Sequence, residues 1–398
     1  MSTPTTGSSA EASPTPPSED HAEEQTKHGP SGQGALLRQV ASSPAVVGLL
    51  AVLTALILSS ILILAADSEV RYTATYLLNR PGDFLHATAS TLSEAYSSLL
   101  RGAVFDWRAT TGVRMIRPIT DTLTNATPLI IAGLGMAVAF RAGLFNIGGQ
   151  GQMILGAITA CYVGIAWNLP PVAHLLLAVV GAALGGLVWG GIAGVLKART
   201  GANEVIVTIM LNSIAAHLLS QVLSLKAFNG EGETGNRKSL TVADTAQYPS
   251  LAGDSFRLHA GFLLALLVAV AVWWLMERSR LGFQLRATGL NADAARTAGM
   301  SVPWVTSLVM MISGALCGLA ATAPVLGTQK SMDESVVGTI GFDAITVALL
   351  GRSRPLGTVL AGLLFGALRA GGTAMQAAPG THIKIVLVLQ STIVLFIA

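Results

Sequence analysis

Four glycines fall within ten residues at Gly143–Gln152, GLFNIGGQGQ, amid long apolar runs. Such a stretch breaks a helix, and the backbone groups it frees are tolerated at membrane depth only against protein or a wet cavity. Asn146, Gln150 and Gln152 each donate and accept hydrogen bonds, which suits recognition of a neutral polyol or base. The competing reading is a packing kink held by structural amides. A second polar set follows in GANEVIVTIMLN: Glu204, Thr208 and Asn212 are four apart and share one helix face. An ionisable residue in a span is a functional candidate by default. Asn203 and Glu204 also stand where a helix begins, where a cap and a carboxylate favour the N-terminus, so both readings stay open. Asn212 lies deeper and fits the pathway or a helix–helix contact. Asp343, just after Gly341, carries the same choice between pathway and helix start.

None of this is catalytic chemistry. The chain has no phosphate loop ending in Gly-Lys-Ser/Thr, no His-Glu-x-x-His and no Gly-x-Ser-x-Gly, and its seven His show no metal-ligand spacing. The expectation is a chain that binds no cofactor or metal, leaves any ATP to another subunit and is not an enzyme. Cys161 and Cys317, each in an apolar run, read as small apolar filler.

The polar stretch from Glu277 to Ser301 points to a protein contact. Asn291 is a good N-cap, Asp293 falls in the first turn and Gly299 sits just past the end. The spacing predicts a two-turn helix with a face of Ala292, Ala294, Ala295 and Ala298. So short a helix needs a partner surface. Its flat face, flanked by Arg286 and Arg296, suits docking into another protein's groove, the alternative being its own bundle.

The elements that must position these residues are apolar helices. The chain is 398 residues long, 52% hydrophobic and 11% charged, against about 25% charged for a soluble domain. The fold class is therefore an all-α integral membrane protein. At about 20 residues per span the length allows roughly ten. The ten apolar segments are 44–66, 120–140, 152–167, 172–196, 204–225, 259–276, 302–326, 342–350, 355–368 and 382–398; 342–350 is too short to cross alone. The 43 glycines argue for close helix packing in lipid. A net charge of +3 gives no reason to expect nucleic acid as a partner.

Residues 1–43, rich in Ser, Thr, Pro and Glu, read as a disordered tail. Residues 44–398 form the transmembrane domain, with polar linkers at 67–118 and 226–258 on one side and 277–301 on the other. The two long linkers carry ten Lys/Arg and the short ones nine, more densely packed. Because short loops weigh more in the positive-inside rule, the short linkers and the N-terminus are placed in the cytoplasm. FNIGGQGQMILGAI (145–158) and TIGFDAITVALLG (339–351) echo one another five spans apart. An odd offset makes the copies inverted, the pattern of transporters with broken half-helices and a site at the repeat interface.

TPLIIAGLGMAVAFRAGLFNIGGQGQ, NEVIVTIMLN, LRATGLNADAARTAGM and GFDAITVALLG, in this order, resemble the permease subunits of bacterial ABC importers for nucleosides, related to the ribose-type sugar permeases. The resemblance runs from about Thr120 to the end. It implies an importer for nucleosides or simple sugars, multi-pass in a bacterial plasma membrane, with 44–398 as its permease domain. It implies a second homologous permease, as a heterodimer in the family manner, a cytoplasmic ABC ATPase that consumes the ATP, and an extracytoplasmic substrate-binding lipoprotein. On this reading the polar groups Asn146, Gln150, Gln152, Asn203, Glu204, Asn212 and Asp343 belong to the substrate pathway. Arg286, Asn291, Asp293, Ala294, Ala295, Arg296 and Gly299 would belong to the ATPase-coupling helix. Gln150 stands where the family commonly has Glu, the tail is long for the family, and the chain stops while still apolar. Two other readings compete: an ion-coupled secondary transporter, and a membrane enzyme acting on lipid-linked substrates.

Overall fold

The computed structural model describes residues 44–229, 237–253, 255–376 and 392. The tail expected at 1–43 and most of the apolar segment at 382–398 lie outside them. Residues as far as Val47 form one unit, and Gly48–Ala398 forms the other.

No strand occurs among the described residues; two isolated bridges, Lys238 with Asp333 and Ser250 with His259, are the extended pairings. Helix α1 (Pro44–Ala66) carries no charge and only Thr54, Ser59 and Ser60 as polar side chains, and α2 (Ser68–Ala74) leaves its Leu53–Ala66 part at 77°. Asp67 makes that corner by capping α2, its Oδ1 accepting from the N–H groups of Glu69 and Val70, both at 2.9 Å. Helix α3 (Pro81–Ala103) and α4 (Gly112–Arg141) follow. The 67–118 linker is thus largely helical. Its α3 packs on the bundle: Tyr96 Oη donates to the Leu56 carbonyl at 2.8 Å, and Thr122 Oγ1 to the Ala103 carbonyl at 2.6 Å.

Helix α4 is the hub. Its apolar window is 83% buried, against 22% for α7 (Glu204–Leu223). Leu129, Ile130, Ile131, Leu134 and Met136 are enclosed on all sides, as expected of a helix apolar all round. Around it stand α9 (Gly261–Arg278), α12 (Val302–Ala320), α13 (Ile340–Leu350) and α14 (Pro355–Gln376), and α5 (Gly149–Ala166) packs on α12. Helix α6 (Pro171–Thr200) and α7 lie further out, with exposed Leu184, Val188, Ile206 and Met210.

The glycines act as the composition suggests. A Cβ on Gly314 of α12 would meet the Gly186 carbonyl of α6 and come within 3.0 Å of Gly190 Cα; one on Gly194 would lie 2.8 Å from Met310 Cβ. Backbone therefore touches backbone along a seam between α6 and α12 that no larger residue could occupy.

The span count differs from the expectation. Six helices among the described residues are long and apolar enough to cross a bilayer, or seven with the bent α1–α2 pair, not about ten. Segment 152–167 became α5, whose four glycines and two glutamines dilute its apolarity. Segment 342–350 became α13, an 11-residue half-helix. The tenth segment lies almost wholly outside the described residues.

Candidate functional site: two broken helices and a polar cavity

The chain leaves α4 at Arg141, turns through Gly143 at φ +72°, and re-enters the bundle before α5 begins at Gly149. The amides singled out in the sequence hold this return. Asn146 and Gln152 are buried and face each other, Asn146 Nδ2 donating to Gln152 Oε1 at 3.0 Å and Gln152 Nε2 to Asn146 Oδ1 at 3.1 Å. Asn146 Nδ2 also donates to Ser313 Oγ of α12 at 2.8 Å, and Asn146 Oδ1 accepts from the Gly148 N–H. Asn212 of α7 grips the break from the other side: its Nδ2 donates to the Ile147 carbonyl at 2.9 Å and its Oδ1 accepts from the Gly151 N–H at 2.8 Å. Asn146 and Asn212 thus satisfy backbone that a broken helix strands in the protein interior, and Gln152 holds Asn146 in place.

Gln150 reaches the second break. Its Nε2 donates to the Gly338 carbonyl at 2.6 Å, and its Oε1 accepts from the Gly341 N–H at 3.2 Å. A Cβ on Gly341 would lie 2.5 Å from Gln150 Cα. The N-termini of α5 and the half-helix α13, which echo in sequence, therefore meet with Gln150 as the latch. Asp343, in the first turn of α13, accepts from Thr339 Oγ1 at 2.9 Å and stands 4.0 Å from Arg369 of α14.

Beside the latch lies a cavity of about 230 Å³ lined by α4, the loop 335–340, α14 and a π-helical turn at Ala323–Thr328. Asn125, Thr328, Gln329, Ser335 and Arg369 give it polar walls. Pro128 and Pro324 line it too. A proline inside a helix has no N–H, so the Thr124 and Ala320 carbonyls lack their helical donors there. The residues at 237–253 pair with chain next to the cavity wall: Ser239 N donates to the Met332 carbonyl at 2.7 Å, and Tyr248 N to the Leu326 carbonyl at 2.9 Å. His259 stacks on Tyr248 at 5.3 Å, and a Cβ on Gly327 would collide with its ring. Burial lowers the His259 pKa to about 4, and its Nε2 has no partner among the described residues.

Asn203 caps α7, accepting from Val205 N at 2.9 Å, and Glu204 pairs with Lys197 Nζ at 2.5 Å. Both sit apart from the cavity at a helix end. The stretch 277–301 holds more helix than the sequence suggested: α10 (Arg280–Leu290), then α11 (Ala292–Thr297). Asn291 caps α11 as expected, accepting from Asp293 N at 3.0 Å and Ala294 N at 2.9 Å, and Gly299 ends it at φ +81°. Arg296 pairs with Asp293 at 2.8 Å. Of the alanine face, Ala295 is buried on the bundle while Ala294 and Ala298 are exposed, as is nearly all of Leu290.

Four residues that the sequence reading did not single out join these elements. Glu277, ending α9, stands 3.3 Å from Arg141 Nη1 and 3.8 Å from Arg286 Nη1; Arg141 Nε also donates to the Ser353 carbonyl just after α13. A Cβ on Gly289 of α10 would lie 2.5 Å from the Arg141 carbonyl, so α10 touches the first break directly. Ser313 anchors Asn146. Arg369 lies one residue past the expected end of its apolar segment, and only the longer helix, which runs on to Gln376, places it within a span.

Six or seven apolar helices long enough to cross a bilayer, among the described residues, make this a multi-pass membrane protein. The chain belongs to the family described as branched-chain amino acid transport system / permease component, which matches residues 119–398. It is 40% identical over 281 residues to the guanosine ABC transporter permease protein NupP of Bacillus subtilis, covering 70% of this chain and 80% of the relative. It is 37% identical to the glucose ABC transporter permease protein TsgB13 of Haloferax volcanii, over 70% of this chain and 75% of the relative. It is 34% identical to the nucleoside ABC transporter permease protein NupB of Lactococcus lactis, over 71% and 79%. The protein is a permease subunit of an ABC importer, not an enzyme, and such a permease works with an ATPase and a substrate-binding protein.

Proposed function

We propose that this subunit imports nucleosides across a bacterial plasma membrane, past the cavity and through the junction of α5 and α13. The observation that carries the reading is the Gln150 latch: the N-termini of α5 and the half-helix α13, from opposite halves of the sequence, closed on each other beside a polar cavity. Such junctions are where transporters place their sites. Amides and hydroxyls there suit an uncharged polyol with a base, and two of the relatives above are named for nucleosides. Gln150 and Asp343 border the route, while Asn146, Gln152 and Asn212 hold the backbone that frames it. Asn203 and Glu204 act at the cytoplasmic end of α7.

The stroke enters through α10 and α11. A cytoplasmic ABC ATPase, which binds and hydrolyses the ATP, docks on Ala294, Ala298 and Leu290, with Arg286, Asn291, Asp293, Ala295, Arg296 and Gly299 shaping the seat. Movement of α10 passes to the first break at Gly289 and Gly143, and through Arg141 to Ser353 below α13. A second, homologous permease completes the pore as a heterodimer. A substrate-binding lipoprotein delivers from outside, where Arg101, Arg108, Arg114 and Arg117 line a basin of about 740 Å³.

The test is uptake of radiolabelled guanosine, adenosine and uridine in cells with and without the gene, with excess ribose and glucose as competitors. Loss of nucleoside uptake on deletion, unaffected by the sugars, is the expected result. Unchanged nucleoside uptake with loss of glucose or ribose uptake would replace the reading by a simple sugar, which the glucose-permease relative favours.

A further inference from the structure

We infer that Arg369 is the residue that selects the base, and that the cavity favours nucleosides whose base offers two adjacent acceptors, a 6-oxopurine such as guanosine. This deepens the nucleoside reading above and rests on it.

Arg369 sits 14 residues into α14, where a charge is costly unless it faces protein or a wet cavity. It faces the cavity and lines its wall. Its guanidinium has five N–H donors and cannot be deprotonated. The described contacts use few of them: one long hydrogen bond, Nη2 to Thr339 Oγ1 at 3.5 Å, and an approach of Nη1 to Asp343 at 4.0 Å. Both are too long to be strong bonds. Asp343 sits close enough to offset the charge and too far to occupy the fork, so the donors remain available to a ligand. Arg369 Nη2 also lies 3.6 Å from where a Cβ on Gly338 would stand, and the Gly338 carbonyl is the one that Gln150 holds. The fork is therefore presented at the latch, where a substrate must pass.

A rigid pair of donors matches a carbonyl oxygen beside a ring nitrogen, the O6/N7 edge of guanine. Adenine puts an amino donor where guanine has that carbonyl, so one of its contacts with Arg is donor against donor. A buried polar pair that loses its partner costs far more than an apolar mismatch does. With Asp343 beside the Arg, the site carries little net charge, which favours a neutral nucleoside over a phosphorylated one.

The experiment uses the assembled importer with its ATPase, second permease and binding protein, and compares initial uptake of guanosine and adenosine by the wild type, Arg369→Lys and Arg369→Gln. A Gln fork matches the adenine N6/N7 edge. Arg369→Gln is expected to lower the guanosine-to-adenosine ratio tenfold or more; Arg369→Lys, a point charge without a fork, several-fold. Excess guanosine monophosphate should leave wild-type guanosine uptake unchanged. Equal falls for both nucleosides, or an unchanged ratio in either variant, would overturn the assignment while leaving nucleoside import intact. Where Arg369→Gln does not assemble, Arg369→Lys decides alone. Inhibition by the monophosphate would overturn the preference for a neutral ligand. A wild-type complex that carries no nucleoside brings down the nucleoside reading itself, an outcome distinct from these.

Discussion

Replacing Gln150 by Leu removes both bonds of the latch at nearly constant volume. The hydrogen bond to the Gly338 carbonyl, 2.6 Å, and the one from the Gly341 N–H, 3.2 Å, are each worth about 0.5–1.5 kcal/mol net. Gly338 is exposed and its carbonyl can take up water, so its loss falls at the lower end; the Gly341 N–H, at a helix start, keeps little else. The closed junction should lose about 1–3 kcal/mol, raising the open population roughly 5- to 150-fold. A native reporter lies beneath it. The Cys317 thiol is buried and free, and a Cβ on Gly149 would stand 3.6 Å from its Sγ. In a Cys161→Ala background, N-ethylmaleimide should label Cys317 faster in Gln150→Leu by that factor, because a buried thiol reacts through transient opening. Gln150→Glu keeps the bond from Gly341 and places a carboxylate at two helix N-termini, each favouring it by about 0.3–1 kcal/mol. Its labelling should fall between wild type and Gln150→Leu. An unchanged rate in a monodisperse Gln150→Leu protein would refute the latch.

Gly314→Ala puts a methyl against the Gly186 carbonyl and should destabilise the detergent-solubilised protein by about 1–3 kcal/mol. Gly181→Ala, whose Cβ would meet its nearest neighbour at 3.4 Å, should leave the Tm unchanged; equal shifts would count against the seam. Glu277→Gln removes the carboxylate between Arg141 and Arg286. The residue is two-fifths exposed, so folding should barely change, while uptake drops several-fold with ATP turnover by the complex held within about twofold. Parallel falls in both would show a folding defect instead. His259 is held neutral in the fold, with a pKa near 4 against an ordinary 6.5. The unfolded chain takes up its proton first, so the stability His259 supports is complete above about pH 6.5 and declines as pH falls towards 4. The gap corresponds to about 3 kcal/mol. A His259→Gln protein should lose less Tm than wild type between pH 7 and pH 4.5, and an equal loss would place the acid sensitivity elsewhere.

The helical bundle, the two breaks and the cap on α11 were legible because each rests on local chemistry: apolar runs, clustered glycines, and an Asn ahead of a short alanine-rich stretch. The number of spans was not legible from hydropathy alone. Glycine and glutamine thin the apolar signal of α5, and α13 is half a span that ends where its N-terminus meets another. The site followed the same division. Asn146, Gln150, Gln152 and Asn212 could be picked out because amides are rare in such sequence. Their partners depend on the fold: that Asn146 would meet Gln152 and Ser313, and Gln150 a glycine 188 residues away, is a fact of tertiary structure. Glu277 and Gly289 look like ordinary linker residues until α10 is seen against Arg141.

The seam between α6 and α12 bears on what can move. Where long side chains interdigitate, helices can slide by exchanging rotamers one at a time. Along Gly186, Gly190 and Gly314 there are no rotamers to exchange, and any shift must separate both backbones at once. The pair is therefore a stator. Asn146 is tied to it through Ser313, so one side of the first break is anchored to the fixed frame. Gly156 of α5 backs onto Gly318 of α12 in the same way, so of the two helices that meet at the Gln150 latch α5 is the one joined to this frame.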